Sequence, residues 1–269
     1  MNSLLKKTLI NLILPLAVIV IAWKVNIWLG IAALLLYLAV QFYFARPTLF
    51  NLIGSRKYTR GQIEDALKWF KKAHDTRKST PRISASYAYL LLKNAEPVKS
   101  EEVLQQILKS NPKAEDITYT KSILALVLWK KGELDAATDM LTEVMQTYKT
   151  TSVYGSLGYL LILKGDLDKA LQFNLEAYDY NASDKVIQDN LGQNYYLLGM
   201  YDKSREIYEA LMEKSPTFPE AWFNYGLLLE KLGEPERALE SMKKALEYKF
   251  SYLCCISRED IEAKIQEAS

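Results

Sequence analysis

KVIQDNLGQNYYLLGMYDKSREIYEALMEKSPTF, residues 185–218, and PEAWFNYGLLLEKLGEPERALESMKKALEYKFSY, residues 219–252, are two 34-residue lines that align without a gap. Gly192 stands over Gly226, Gly199 over Gly233, Ser204 over Ala238 and Tyr208 over Met242. The register continues upstream. Gly132, Gly165, Gly199 and Gly233 fall 33, 34 and 34 residues apart, and each is followed five places later by a small residue, Ala137, Ala170, Ser204 or Ala238. A fixed period of this length describes stacked copies of one helical hairpin. Function is then expected on a repetitive surface instead of in a catalytic pocket.

In this frame residues 47–80, 81–117, 118–150, 151–184, 185–218 and 219–252 form six segments. Gly54, Ala88, Ala125, Gly158, Gly192 and Gly226 share the eighth place, and Ala66, Ser100, Ala137, Ala170, Ser204 and Ala238 the twentieth. Small residues at both places let two antiparallel helices approach closely. Phe70, Leu104, Leu141, Tyr208 and Met242 fill the twenty-fourth place, on the core face of the second helix, with Asn174 as the exception. Glycine at the fifteenth place ends the first helix in the left-handed region that other residues avoid. The second segment has Ala95 there and about three extra residues over Ala114–Ile117, so a local distortion is predicted.

This pattern resembles the tetratricopeptide repeat family over residues 47–252, most clearly in Leu191-Gly192-x-x-Tyr195, Ser204, Tyr208 and Pro216, then Trp222-x-x-Tyr225-Gly226, Ala238 and Ala245. The resemblance implies an all-α fold, a right-handed α-solenoid of about six units. An array of this kind needs its last apolar face sealed. Residues 253–269 are therefore predicted as a capping helix, with Ser257 as N-cap and Asp260 completing an S-x-x-D box.

The N-terminal stretch has a different character. Residues 8–45 contain no acidic side chain and one charge, Lys24. Thr8–Trp23 and Ile27–Phe44 are apolar runs parted by Lys24-Val25-Asn26, and they predict a transmembrane helical hairpin over residues 1–45. Pro15 is tolerable inside a membrane helix. No small-x-small cleavage site follows the first run, so the anchor is expected to be retained. Lys6 and Lys7 precede the first run, and Arg46, Arg56, Lys57 and Arg60 follow the second. The positive-inside rule then gives a multi-pass cell-membrane protein with its repeats in the cytoplasm. Arg46, Arg56, Lys57 and Arg60 become candidate headgroup contacts. Residues 1–80 carry 12 Lys/Arg against Glu64, Asp65 and Asp75, a net +9, which leaves −7 for the rest of the chain. If the first run does not cross, the repeats face outward, and the alternative reading is an extracytoplasmic assembly or export factor for envelope proteins.

Catalytic signals are missing from the sequence. His74 is the one histidine, which excludes a multi-histidine metal site, and there is no C-x-x-C pair, P-loop or G-x-G-x-x-G. Neither an enzyme nor a bound cofactor or metal is predicted. The acidic balance beyond residue 80 disfavours nucleic acid. The only cysteines, Cys254 and Cys255, are adjacent and form no disulfide framework, so they read as small apolar residues near the array's end.

The resemblance also implies where a partner binds. In such repeats the first helix of each hairpin lines a concave groove, chiefly through places two, five, nine, twelve and thirteen. Here those places supply Tyr89, Tyr119, Leu126, Trp129, Tyr159, Gln193, Tyr196 and Phe223 as candidates, with Lys130, Asp189, Leu227 and Glu230 beside them. Aromatic-rich grooves suit a peptide or protein partner with apolar anchors. One family subtype clamps a C-terminal carboxylate. Asn190 and Asn224 match its sixth place, but no basic residue stands at the fifth, so that specificity is not expected.

Overall fold

The computed structural model describes residues 9–267, all helices and connecting segments with no strand among them. Lys6, Lys7 and Thr8, to which the sequence assigned a basic flank and the start of the first run, lie outside the described residues. Two compact units divide at residues 83 and 84.

In the first unit a short π-helical turn, Leu9–Ile13, leads into α1 (Leu14–Val25), followed by α2 (Ile27–Thr59) and α3 (Ile63–His74). Pro15 sits in the first turn of α1, where a missing N–H costs least. Asn26 breaks the chain between α1 and α2, and its side chain accepts from the Trp28 N–H at 2.8 Å. Gly30 then lies against Trp23 so closely that a Cβ would be 2.5 Å from the indole. The sequence divided anchor from first repeat at Arg46-Pro47, but α2 runs unbroken through both. Pro47 has no N–H to offer the Tyr43 carbonyl one turn back. Arg46 Nε donates to that oxygen at 3.3 Å, and its guanidinium stacks over the Tyr43 ring at 4.4 Å. The α3 helix packs back on α2 with Phe70 over Gly54, 2.8 Å from where a Cβ would stand.

Of the two expected membrane spans, one helix among the described residues qualifies by length and composition. The 33 residues of α2 include an apolar window that is only 6% buried. The 5 residues of the π-helical turn and the 12 of α1 together make a helical run of 17 described residues, at the lower limit of about 17–25 for a crossing.

The second unit begins within the first turn of α4 (Pro81–Lys93). It continues through α5 (Pro97–Lys109), α6 (Ala114–Lys130), α7 (Leu134–Met145), α8 (Thr151–Leu163), α9 (Leu167–Tyr180), α10 (Lys185–Leu197), α11 (Tyr201–Glu213), α12 (Pro219–Lys231), α13 (Pro235–Ala245) and α14 (Arg258–Glu267). Consecutive helices pair into hairpins, and α8, α10 and α12 lie side by side as the first helices of successive units in an α-solenoid. Ala88 and Ala125, at the eighth place, are fully buried. Ser100 and Ser204, at the twentieth, donate across the hairpin to the Ala88 and Gly192 carbonyls at 2.7 and 2.8 Å. Asn174 departs from the pattern. Its Nδ2 donates to Asn194 Oδ1 at 3.1 Å, and its own Oδ1 is buried without a partner where a Cβ on Gly158 would fall.

Each first helix ends at the fifteenth place with positive φ, 88° at Gly132 and 77° at Gly233. Ala95 adopts the same conformation at φ 59°, so its Cβ bears the strain that its neighbours avoid. Ala95→Gly is expected to raise stability by about 1 kcal/mol, measurable as a higher unfolding midpoint. An unchanged or lower midpoint would show that this turn is not strained.

The terminal helix α14 starts at Arg258, the residue after Ser257. Its capping box forms: the Asp260 N–H donates to Ser257 Oγ and the Ser257 N–H to Asp260 Oδ2, both at 3.0 Å. Ile261 is buried with Met242 and Ala245, and Lys264 pairs with Glu230 at 3.1 Å. Between α13 and α14 the chain is irregular.

Candidate partner-binding groove

The candidate rings of Trp129 and Tyr159 come into contact. Trp129, near the end of α6, meets Tyr159, in the middle of α8, edge to face at 5.6 Å. Both are half-buried against a core that includes Leu141, Leu157 and Leu160. Lys130, one residue on, places its ammonium 4.7 Å from the Trp129 ring.

The irregular segment before α14 lies on this same surface. Cys254 N–H donates to the Ser251 carbonyl at 2.9 Å, which makes Ser251–Cys254 a tight turn with Tyr252 and Leu253 at its tip. Tyr252 N–H donates to the Lys93 carbonyl at 3.3 Å, at the end of α4. Lys130 Nζ donates to the Cys254 carbonyl at 3.2 Å and stands 5.0 Å from the Tyr252 ring. Cys255 N–H donates to Glu220 Oε1 at 3.0 Å, in the first turn of α12, and the Cys255 thiol lies near the Tyr159 hydroxyl. One turn of chain thus touches first helices from four hairpins. The cysteines, which the sequence reads as small apolar residues near the array's end, contact Lys130 and Glu220 through their main chain.

The other candidates are dispersed. Phe223 packs on the cluster of Met242, Ala245 and Ile261, together with Phe250 and Ile256 from either side of the turn. Tyr196 stacks near Tyr201 at 5.9 Å and belongs to the cluster around Tyr208 and Leu211. Tyr89 is exposed, with Lys93 Nζ 5.9 Å from its ring. Tyr119 and Leu126 are half-buried on α6, and Gln193 half-buried on α10. Neither place-six asparagine is free for a ligand: Asn190 Nδ2 donates to the Gly155 carbonyl at 2.7 Å and Asn224 Nδ2 to Asp189 Oδ1 at 3.1 Å, each reaching the preceding unit. In the first unit Arg56 and Arg60 are exposed, whereas Lys57 pairs with Asp65 at 3.5 Å and Arg46 is engaged with Tyr43.

Burial shapes the electrostatics beneath the turn. Asp189 is 6% exposed and accepts from Asn224 Nδ2 and the Tyr208 hydroxyl, the latter at 3.0 Å. Desolvation pushes its carboxyl up to about 7; the hydrogen bonds oppose this shift, and the nearby Glu220 charge reinforces it. Desolvation also raises the Tyr159 hydroxyl. Cys255 keeps solvent exposure as a residue, yet the desolvation of its thiol, with Glu220 and Asp189 nearby, pushes that group up to about 12. Such a thiol is protonated at neutral pH and a poor nucleophile.

Sequence reasoning did not single out Lys93, Glu220, Tyr252, Cys254 and Cys255, which meet on this surface. One signal was present: Phe250, Tyr252 and Leu253 form an apolar cluster in a connection, where a solvated loop would be polar.

Tetratricopeptide repeat family models match residues 188–217 and 207–240. The chain carries tetratricopeptide repeats over these residues. Solved structures share the fold: a tetratricopeptide repeat protein from Parabacteroides merdae superposes with a TM-score of 0.65 at 14% identity, covering 94% of this chain and 98% of that one. Pseudomonas aeruginosa pilF superposes with a TM-score of 0.59 at 16% identity, over 83% and 99% of the two chains. By sequence, the repeat protein is 28% identical over 142 residues to BBSome complex member BBS4 from Bos taurus. That match takes in 53% of this chain and 27% of the bovine protein, so the chain spans about a quarter of that relative's length.

Proposed function

We propose that this tetratricopeptide repeat protein is a membrane-anchored interaction scaffold that holds a protein or peptide partner on the concave face of its second unit. The observation that carries the reading is the Trp129–Tyr159 pair with Lys130 beside it, a half-buried aromatic surface with a cation at its edge. Such surfaces contribute much binding energy per residue. Membership of a complex, which the bovine relative's name records for that protein, accords with a binding role. No catalysis is assigned. Affinity capture from solubilised membranes, with the parent and with Trp129→Ala/Tyr159→Ala, tests the groove. The folded variant is expected to lose specific partners, and an identical partner set would defeat the assignment.

The anchor rests on α2. Trp28, Leu35, Leu36, Leu38, Phe42 and Phe44 are all exposed along it, an apolar surface too large to leave in water. The basic flanks favour a cytoplasmic array if the first run also crosses, and Arg56 and Arg60 would then meet anionic headgroups. If the first run does not cross, the second reading applies, one crossing with the array outside and envelope proteins as its substrates. Protease protection in intact cells separates them: digestion of the repeats from outside would overturn the cytoplasmic reading.

A further inference from the structure

The turn at Ser251–Cys254 occupies the surface on which a partner is expected. Its ends are anchored by apolar packing, Phe250 and Ile256 both lying against Met242, Ala245 and Ile261. Between these anchors the chain leaves the end of the array, reaches Lys93 and Lys130, and returns past Tyr159 and Glu220 to α14. A simple seal for the last hairpin would not require this excursion. The capping box, Ile261 and the Lys264–Glu230 pair already close that end.

The contacts also show what chemistry the groove accepts. Three of them address main-chain atoms of the turn: the Lys93 carbonyl takes the Tyr252 N–H, Glu220 takes the Cys255 N–H, and Lys130 Nζ donates to the Cys254 carbonyl. Any residue can supply those main-chain atoms. Side-chain selectivity comes from the Tyr252 ring, set beside the Lys130 ammonium with its hydroxyl 3.5 Å from the Lys130 carbonyl. The segment has no helix or strand of its own, so its opening breaks few contacts and can occur without unfolding the hairpins.

We propose that residues 251–255 are a built-in, displaceable occupant of the groove, and that the external partner is a polypeptide turn with a tyrosine at its tip that takes over the same main-chain contacts. This rests on the groove reading above and adds to it a shape, an anchor residue and an internal competitor. Because the tethered turn competes at an effective concentration near the millimolar range, the resting protein holds its groove closed to weak ligands.

The probe is a fluorescein-labelled synthetic peptide of residues 248–258 with both cysteines replaced by serine, titrated by anisotropy against the full chain in detergent micelles. Tyr252→Ala, which loosens the internal turn, is expected to bind the probe about tenfold or more tighter than the parent. Adding Trp129→Ala and Tyr159→Ala to that variant should abolish the gain. Hydrogen exchange over residues 246–257 supplies a readout that needs no ligand. The parent should protect the Tyr252 and Cys255 amides, Lys130→Ala should lose that protection while the hairpin helices keep theirs, and excess unlabelled probe should lower it in the parent. Equal probe affinity in the parent and Tyr252→Ala, or no binding to either, overturns the proposal. So does exchange that is insensitive to both Lys130→Ala and the probe. A groove-dependent partner set in the capture experiment would survive any of these results, so failure of the internal competitor is separable from failure of the groove.

Discussion

Asp189→Asn is expected to be more stable than the parent at pH 8 by about 3–4 kcal/mol, with the difference shrinking to nearly nothing below pH 4. The Asp189 carboxyl is buried and held up to about 7 from an ordinary 3.8. Between those values the folded chain binds a proton that the unfolded chain has released. Stability from this group is therefore full below the unfolded value and is lost as pH rises through the folded one. Asparagine does not titrate. Its Oδ1 can still accept from Asn224 Nδ2 and the Tyr208 hydroxyl, the two bonds that position Asp189 now. The measurement is the thermal midpoint of each protein in detergent at steps from pH 4 to pH 8. A difference that does not change with pH would mean that Asp189 is ionised in the folded state throughout the range.

Gly192→Val should destabilise the second unit by about 2–3 kcal/mol. A Cβ at Gly192 would stand 2.7 Å from Tyr208 Cε2 and 2.9 Å from Cζ. Tyr208 cannot retreat easily, because it is fully buried and its hydroxyl donates to Asp189. The clash therefore spreads to Asp189 and, through Asn224, to the next hairpin. Reduced helix propensity of a β-branched residue is not the cause, since valine is at least as good a helix former as glycine. Denaturant midpoints of the parent, Gly192→Val and Gly192→Val/Tyr208→Phe test the account. The double variant should regain little, because the ring and not the hydroxyl meets the new carbon. A midpoint for Gly192→Val equal to the parent's would remove close approach as the reason for glycine at this place.

These two sites show how differently fold and groove could be read. Gly192, Ser204 and Tyr208 recur in phase with their counterparts, and their roles follow from helical geometry that every hairpin repeats. Asp189 shares a repeat place with Phe223, yet their surroundings differ: one is buried beneath the turn and the other is half-buried against the terminal cluster. Place along a helix fixes the direction of a side chain but says nothing of what arrives to cover it. Ala95 was legible as a departure from the pattern, and its positive φ gives the departure a physical meaning. Arg46 was legible only as a charge. Its bond to the carbonyl that Pro47 leaves unpaired explains why α2 continues where the repeat frame placed a boundary.

By itself the sequence determined the all-helical repeat, the phase of its small and large residues, and the strongly apolar character of the N-terminal helices. All three depend on interactions that recur at fixed short spacing, so the period carries them. Only the tertiary structure decided that the segment between α13 and α14 turns back across the first helices of the array and which rings it leaves half-buried. That arrangement brings Lys93, Lys130, Tyr159 and Glu220 from four hairpins to one turn of chain. No spacing within a repeat encodes it, because it arises from the stacking of the hairpins and from a connection that lies outside the period.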